Sequence, residues 1–219
     1  MSALQSFNKA HTFTQHLVSL PVSALPRPRI CLVSGQLVGC SIRAPHYVSA
    51  AAALEHACTL AHETGMLVSL SAIGPLLALP DLAAAAIARA DVTPEHLELT
   101  VTGHALHHAG IEALLALSAL RDQGISVALR GFGRGPIAIV PRLPLTRVIL
   151  SATTIQDIPG NPAATMLLHT LLGLARSQDL RVVATGIDTE TQRAILAGIG
   201  CDTGEGSLFG ATKAAPLHP

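Results

Sequence analysis

Short apolar runs alternate with longer segments of helical spacing along most of this chain. The runs are four or five residues long and rich in aliphatic side chains, which is typical of buried strands. They are Met66–Leu70, Leu97–Val101, Ile125–Leu129, Arg147–Leu150 and Arg181–Ala184. The segments with helical spacing are Ala50–Glu63, Leu82–Ala90, His107–Gln123, Ala163–Ser177 and Thr189–Ala197. This alternation predicts repeated βα units in one domain, and therefore a barrel or a doubly wound parallel sheet.

The start of the chain follows a different pattern. Ser34 and Gly35 join two apolar runs, Arg29–Val33 and Gln36–Ile42, which predicts a tight antiparallel hairpin ahead of the βα units. Residues 1–26 are mixed in character, and a helix over Asn8–Val18 followed by a proline-marked turn is the predicted structure there.

Three residues mark predicted element ends. Gly65 and Gly124 each follow a helical segment and precede a strand, so we expect both to end helices. Asp188 precedes the segment that starts at Thr189, and we expect its side chain to cap that helix.

The composition supports a large core and excludes several function classes. Apolar residues make up 49% of the 219 residues and charged residues 13%. Fourteen basic residues balance 14 acidic ones, and without a basic block neither nucleic acid nor an anionic membrane is an expected partner. A near-neutral surface favours self-association or a protein partner.

Cysteine use and hydropathy predict a cytoplasmic protein. Cys31, Cys40, Cys58 and Cys201 show no Cys-x-x-Cys spacing and are expected to be buried free thiols in a reducing compartment. No apolar stretch is long enough to span a bilayer. The run Leu17–Leu25 is short and interrupted, so a signal peptide is not predicted.

Several motifs resemble those of the EAL-domain family. The segment Arg130-Gly131-Phe132-Gly133-Arg134-Gly135 resembles the family's Asp-Asp-Phe-Gly-Thr-Gly, and Leu97-Glu98-Leu99-Thr100-Val101 resembles Leu-Glu-Ile-Thr-Glu. Further matches lie in 27–39, 182–189 and 200–209, so the resemblance extends from about Arg27 to Thr212. It implies a modified TIM-like (β/α)8 barrel over 27–213 with an antiparallel first hairpin, an N-terminal segment over 1–26 and a tail over 214–219.

The resemblance also predicts that one outer helix is missing. In the family, a helix and a loop separate the first signature from the next helix. Here, Arg43-Ala44-Pro45-His46-Tyr47 leads almost directly into the segment that starts at Ala50. We expect the barrel either to be open on one side or to have seven outer helices.

The family's catalytic residues are replaced one after another. Family members hydrolyse cyclic di-GMP with divalent cations, which carboxylates at the strand ends hold. The matched positions are Ser41, Ser69, Val101, Arg130, Gly131, Ile149, Ser151, Thr185 and Glu205. Only Glu205 is acidic, and two-metal hydrolysis needs several carboxylates. We therefore expect no bound metal, no cofactor and no phosphodiesterase activity.

The arginines at these positions suggest a different use of the barrel mouth. Arg27, Arg43, Arg130 and Arg134, with Glu205, would line the mouth and contact a nucleotide without cutting it. The glycine-rich loop that contains Arg134 would then cradle a phosphate. The alternative is that its glycines only satisfy the backbone geometry of a turn.

The histidines and Glu98 are further candidates. His104 and His108 have the i, i+4 spacing of a metal-binding pair, with His107 beside them, and His56 and His62 share another helix. Solvated or core histidines are the simpler interpretation. Glu98, a lone carboxylate in an apolar run, is either a general base with a raised pKa or a structural residue.

Three functions remain open from the sequence. The first is a catalytically inactive EAL-like regulator that binds another protein, with the apolar segments Leu114–Leu120 and Ala163–Leu174 as candidate contact surfaces. The resemblance implies bacterial signalling, in the control of motility, pili, biofilm or exopolysaccharide. The second is a receptor that binds cyclic di-GMP or another nucleotide without hydrolysis. The third is a barrel enzyme of unrelated chemistry.

Overall fold

Eight strands form a closed barrel in chain order within the part of the chain that the computed structural model describes, residues 26–134 and 137–210. They are β1 Arg27–Cys31, β2 Leu37–Ile42, β3 Leu67–Ser71, β4 Leu97–Thr102, β5 Ser126–Phe132, β6 Arg147–Leu150, β7 Arg181–Thr185 and β8 Thr203–Glu205. β1 runs antiparallel to both of its neighbours, β2 and β8, and the other neighbouring pairs are parallel. The predicted barrel and its antiparallel first hairpin are confirmed.

Helices connect the parallel strands on the outside of the barrel. The α-helices are α1 Ala50–Thr64, α2 Leu79–Ala90, α3 Gly103–Ala109, α4 Ile111–Asp122, α5 Ala152–Ile155, α6 Pro162–Ser177 and α7 Glu190–Gly198. Short 3-10 helices span Leu76–Ala78, Pro94–His96, Ile137–Arg142 and Ser207–Phe209. The outward side chains of the strands pack against these helices and form one large apolar core.

One predicted helix is two helices in the structure. The segment His107–Gln123 was predicted as a single helix, but Gly110 separates α3 from α4 with φ of 55° and ψ of −126°. α3 also begins earlier, at Gly103, because the Thr102 side chain accepts a hydrogen bond from the Ala105 amide and caps it. Helical periodicity continues through this glycine in the sequence, so the pattern alone did not indicate the break.

Several element ends also differ from the prediction. The helix predicted to begin at Leu82 begins at Leu79, because its first turn tolerates Pro80. The prediction that Asp188 caps α7 is wrong: Thr189 is the cap and forms a capping box with Gln192. Gly65 ends α1 in the left-handed conformation, as predicted.

The barrel is closed on the side where a helix was expected to be missing. Residues 43–49 connect β2 to α1 without a helix, yet β2 and β3 still pair in parallel from Gly39 to Ile42. The connection between β5 and β6 is also reduced, since the 3-10 helix Ile137–Arg142 is its helical element among the described residues. The alternative of an open side is therefore wrong, because β2 pairs directly with β3 and α1 packs on β3. The absence of a helix between β2 and α1 agrees with the expected loss of that segment.

Predictions at the two ends of the chain fall outside the described residues. The helix over Asn8–Val18 lies in residues 1–25, and the tail over 214–219 lies in residues 211–219. Among the described helices, none combines the length and the apolar character needed to cross a bilayer.

Candidate functional site

A network of buried charged groups runs through the interior of the barrel. Arg29 on β1 donates from Nε to Glu205 Oε1 at 2.8 Å and from Nη1 to Glu98 Oε1 at 2.8 Å. Arg147 Nη1 donates to Glu98 Oε2 at 2.7 Å, and Ser41 Oγ donates to Glu205 Oε2 at 2.8 Å. Glu98 and Arg147 stand near the amino ends of the parallel strands, and Ser41 and Glu205 near the carboxyl ends. The network therefore connects the base of the barrel, at the amino ends of the parallel strands, with its mouth, at their carboxyl ends.

The buried pairs stay ionised because each charge compensates another. Glu98 is completely buried and Arg29 is 1% exposed. Burial alone would raise the pKa of Glu98, but the charges of Arg29 and Arg147 outweigh it and lower the pKa to about 2. Burial likewise opposes ionisation of Arg29, yet the two glutamates raise its pKa. A general base needs a pKa near neutrality, so of the two interpretations that the sequence left open for Glu98, the ion pairs favour the structural one.

Hydroxyl groups at the matched positions are occupied by local hydrogen bonds. Ser41 donates to Glu205, and Ser69 Oγ lies 3.0 Å from Thr100 Oγ1. Thr185 Oγ1 donates to the backbone carbonyl of Leu150 at 2.7 Å. Ser151, at the start of α5, contacts the hydroxyls of Thr153 and Thr154 at 2.8 and 3.1 Å. These side chains stabilise the strand ends and do not form a set of anionic oxygens.

The segment with Arg130 and Gly131 lies at a bulge in β5. The register with β6 shifts between Arg130 and Phe132, and Gly131 between them has φ of 82°. Residues with a Cβ rarely adopt so positive a φ, so glycine suits the backbone of this bulge. Arg130 is partly buried, and its pKa is lowered by burial and by the nearby charges of Arg43, Arg29 and Arg27, against the opposing effect of Glu205.

Three other matched positions are apolar or lie at the rim. Val101 is buried in the large apolar core, where it also lines the mouth cavity described below. Ile149, where the family has a lysine, forms a small apolar cluster with Ala128 and Val183. Arg27 is exposed and pairs with Ser41 across the first hairpin.

The mouth contains a cavity of about 300 Å³ at the carboxyl ends of β2 to β5. Its polar lining consists of Arg43, Ser71, Thr100, Thr102 and Arg130. Val101, Ile73 and Leu76 provide an apolar part. Of the five residues that were expected to line the mouth, Arg43 and Arg130 line this cavity, whereas Arg27, Arg134 and Glu205 do not. Ser71 and Thr102 were not recognised in the sequence.

The glycine-rich loop contacts α5 and α6, so it is less available to bind a phosphate than an open glycine-rich loop would be. Arg134 Nη1 donates to Thr153 Oγ1 at 2.8 Å, which ties the loop to α5. Gly133 has φ of 91° and lies close to Leu171 of α6. The turn interpretation therefore accounts for both residues, and Gly135 lies outside the described residues.

The residues of the mouth do not fit divalent cations. Within residues 26–134 and 137–210, no three His, Cys, Asp or Glu side chains are arranged to hold a metal ion. The rings of His104 and His108 on α3 are 4.3 Å apart at their centroids, and His107 lies beside His108, but these three histidines are not arranged to hold a metal ion together. Glu205 already accepts from Arg29 and Ser41, and Arg130 would repel a cation.

Two members of the buried charged network, Arg29 and Arg147, were not recognised as site residues from the sequence. Arg147 is the one charged residue of a strand that is otherwise apolar, Glu98 is the one charged residue of β4, and Arg29 is a buried charge in β1. A charge in a buried strand needs an opposite charge nearby, so lone charges of both signs in such strands are a usable indication of internal ion pairs. Which strands face each other across the interior is a property of the closed barrel.

The fold and the mouth define a TIM-like barrel protein with an antiparallel first strand and charged groups along its axis. The sequence profile of the EAL domain matches residues 50–212, and the chain belongs to the EAL-domain family.

Two relatives illustrate the range of this family. Cyclic di-GMP phosphodiesterase NbdA of Pseudomonas aeruginosa is 32% identical over 126 residues, which are 57% of this chain and 16% of that protein. A signaling protein of Caulobacter vibrioides that is described as uncharacterized is 30% identical over 142 residues, 64% of this chain and 17% of that protein. The chain thus spans about a sixth of the length of these curated relatives.

Solved structures share the fold. The phosphodiesterase PaMucR in complex with c-di-GMP superposes with a TM-score of 0.77 at 20% identity, covering 88% of this chain and 96% of that one. A standalone EAL protein from Vibrio cholerae in its c-di-GMP-bound form gives a TM-score of 0.71 at 15% identity, covering 86% and 92%. At this identity the likeness shows the barrel and its strand order.

Proposed function

We propose that this chain is a catalytically inactive EAL-domain protein that regulates bacterial cyclic di-GMP signalling by binding another protein. The observation that carries the first half is the chemistry of the barrel mouth. Among the matched positions, Glu205 is the one carboxylate, and its two oxygens accept from Arg29 and Ser41. Two cations each need several oxygen ligands, so these residues support neither metal binding nor activation of water.

Hydrolysis of cyclic di-GMP is therefore expected to be absent. The purified chain is incubated with cyclic di-GMP and Mg²⁺ or Mn²⁺, and linear dinucleotide is measured by chromatography. We expect no product above the buffer blank, because the described residues of the mouth do not supply the oxygen ligands that would hold the water-activating cations. Purified NbdA in the same assay serves as the positive control. Product that accumulates in proportion to the amount of this chain would contradict the proposal.

Exposed apolar side chains support the second half of the proposal. Ile111 and Leu115 project one helical turn apart from α4 and are 70% and 60% exposed. The 3-10 helix that contains Leu77 packs against α4, and Leu77 is also exposed. Isolated apolar residues are common on surfaces, but neighbouring ones form a contact surface of the kind that a partner covers. We call Leu77, Ile111 and Leu115 the α4 patch.

A double substitution in the α4 patch is expected to abolish partner binding. The full chain is purified under mild conditions from its native cells, either unaltered or as the Ile111→Lys/Leu115→Lys variant. We expect the unaltered chain to retain a partner in stoichiometric amount and the variant to lose it, since two charges would be buried at the interface. Met166→Lys on α6, equally exposed and apolar, is the matched control and should retain the partner. An unaltered chain that purifies alone at every growth stage argues against the proposal.

A second candidate function is a receptor that binds cyclic di-GMP without cutting it. The observation in its favour is the mouth cavity with Arg43 and Arg130 at its rim. Calorimetry with cyclic di-GMP, in the presence and absence of Mg²⁺, separates the two functions. Heat of binding that is independent of Mg²⁺ would support the receptor, and no heat at high micromolar ligand would exclude it.

A further inference from the structure

Two guanidinium groups line the mouth cavity without a salt bridge to a carboxylate of the described residues, although Glu205 is near enough to oppose the lowering of the pKa of Arg130. Arg43 is exposed and Arg130 is partly buried, and both line the cavity. Neither makes a hydrogen bond or an ion pair with a side chain or carbonyl of the described residues. The charges of the two arginines act on each other, and this mutual effect contributes to the lowered pKa of Arg130.

The remaining residues of the given sequence contain no aspartate or glutamate that could pair with them. All 14 acidic residues lie within residues 26–134 and 137–210, so residues 1–25, 135–136 and 211–219 contain no acidic side chain. Inside the barrel, Glu98 and Glu205 compensate Arg29 and Arg147, two negative charges for two positive ones. The two positive charges of Arg43 and Arg130 are therefore in excess.

These uncompensated positive charges lower the stability of the fold, and a bound anion would remove this effect. A partly buried cation without a counter-charge loses hydration and gains nothing in return. Donors also exceed acceptors further inside: Nη2 of Arg29 is buried without an acceptor among the described residues. Both features favour a negatively charged occupant of the mouth.

The lining of the cavity indicates which anion fits. Ser71 adds a hydroxyl donor to the lining that contains the two guanidinium groups, whereas the Thr100 hydroxyl contacts Ser69, and Val101, Ile73 and Leu76 line an apolar part. A volume of about 300 Å³ is at the small end of ligand pockets. Two adjacent positive charges match the two charges of a phosphate monoester near neutral pH, whereas each phosphate of a diester carries one.

We propose that this cavity is a metal-independent binding site for a small phosphate monoester, in which Arg43 and Arg130 hold the phosphate and Ser71 donates a hydrogen bond to it. The inference rests on one part of the proposed function, the inability of the mouth to hold cations, and it is independent of the α4 patch. Arg130 thus provides, as a fixed positive charge, the phosphate contact that a cation would otherwise make.

Calorimetry of the full chain in EDTA tests this site. Inorganic phosphate and guanosine 5′-monophosphate are titrated separately, with cyclic di-GMP as the diester comparison. We expect the monophosphate to bind more tightly than cyclic di-GMP, and addition of Mg²⁺ to leave its Kd unchanged. Arg130→Gln should weaken the binding by about tenfold or more, as for loss of a charged hydrogen bond. If inorganic phosphate binds as tightly as the monophosphate, free phosphate is the ligand and the apolar part of the cavity is not used.

Two further variants keep the result interpretable. Arg181→Gln removes one positive charge at the amino end of β7, at the opposite end of the barrel, and should leave the affinity within about twofold because screening limits long-range effects. Arg43→Gln changes an exposed residue and tests the site even if Arg130→Gln does not fold.

Three outcomes would overturn the proposal: no heat with either phosphate at millimolar concentration, binding that requires Mg²⁺, or equal weakening by Arg181→Gln. Tighter binding of cyclic di-GMP than of the monophosphate would overturn the monoester assignment. Hydrolysis is read in its own assay, so a failure of this site and a failure of the proposed inactivity are distinguishable.

Discussion

Replacing Glu98 by glutamine is expected to lower the free energy of unfolding by about 3–5 kcal/mol, the usual cost of removing one partner from a buried ion pair. Glutamine has nearly the same shape, so packing is retained and the lost charge is the main change. Arg29 would keep Glu205, but Arg147 would lose its carboxylate partner among the described residues. Urea unfolding followed by circular dichroism measures the change.

The matched control is Glu55→Gln. Glu55 pairs with Arg89 at 2.6 Å on the outside of the barrel, where both side chains are about half exposed or more. Surface ion pairs contribute about 0–1 kcal/mol, so this variant should unfold almost like the unaltered chain. If Glu98→Gln were as stable as Glu55→Gln, the network of buried charged groups would not stabilise the barrel.

The acid dependence of stability gives a second measure of the same carboxylate. The pKa of Glu98 is about 2 in the folded chain, below its ordinary value of 4.5. The ionised pair therefore contributes its full stability above pH 4.5, and this contribution is lost as the pH falls towards 2. Unfolding midpoints between pH 7 and pH 3 should fall less steeply for Glu98→Gln than for the unaltered chain. Parallel profiles would show that other groups account for the acid sensitivity.

Replacing Gly206 by alanine is expected to destabilise the barrel by about 2 kcal/mol or more, because the added methyl group has no space. A Cβ at this position would overlap the backbone nitrogen, carbon and oxygen of Ile187. The backbone around both residues is held by hydrogen bonds from the amides of Gly186 and Ile187 to the Glu205 carbonyl. The clash cannot be relieved by a side-chain rotation, and any shift would also move Glu205 within the mouth.

Gly173→Ala is the control for this substitution. Gly173 lies inside α6, and a Cβ there would meet nothing within 4 Å. Alanine is the better helix former by about 1 kcal/mol, so this variant should be as stable as the unaltered chain or more stable. Thermal unfolding of the two variants measures the contrast, and equal melting temperatures would contradict the close approach at Gly206.

The strands and helices were predictable where a local pattern determines them. β6 has the predicted bounds, Arg147–Leu150, because a short apolar run between polar segments has few alternatives. β8 was not predicted, since Thr203–Glu205 has no apolar run and is a strand through its pairing with β1 and β7. The break at Gly110 was also missed, because the apolar spacing continues across it.

The candidate site was likewise predictable from the sequence only in part. The loss of acidic residues at the matched positions is readable in the sequence, since it depends only on residue identity. The partners of Arg29 are 69 and 176 residues away along the chain, at Glu98 and Glu205, and no local pattern connects them. The cavity is similar: Arg43 and Arg130 were named from the sequence, whereas Ser71 and Thr102 join them only through the closure of the sheet.

The sequence by itself determined the βα repeat, the family and the replacement of the acidic residues, because residue type and spacing along the chain express all three. Only the tertiary structure decided that Glu98 is a paired structural ion and not a base, and that Arg43 and Arg130 face one cavity without a carboxylate. The physical reason is that charge interactions depend on distance through space. Closing eight strands into a barrel sets those distances between residues far apart in the chain.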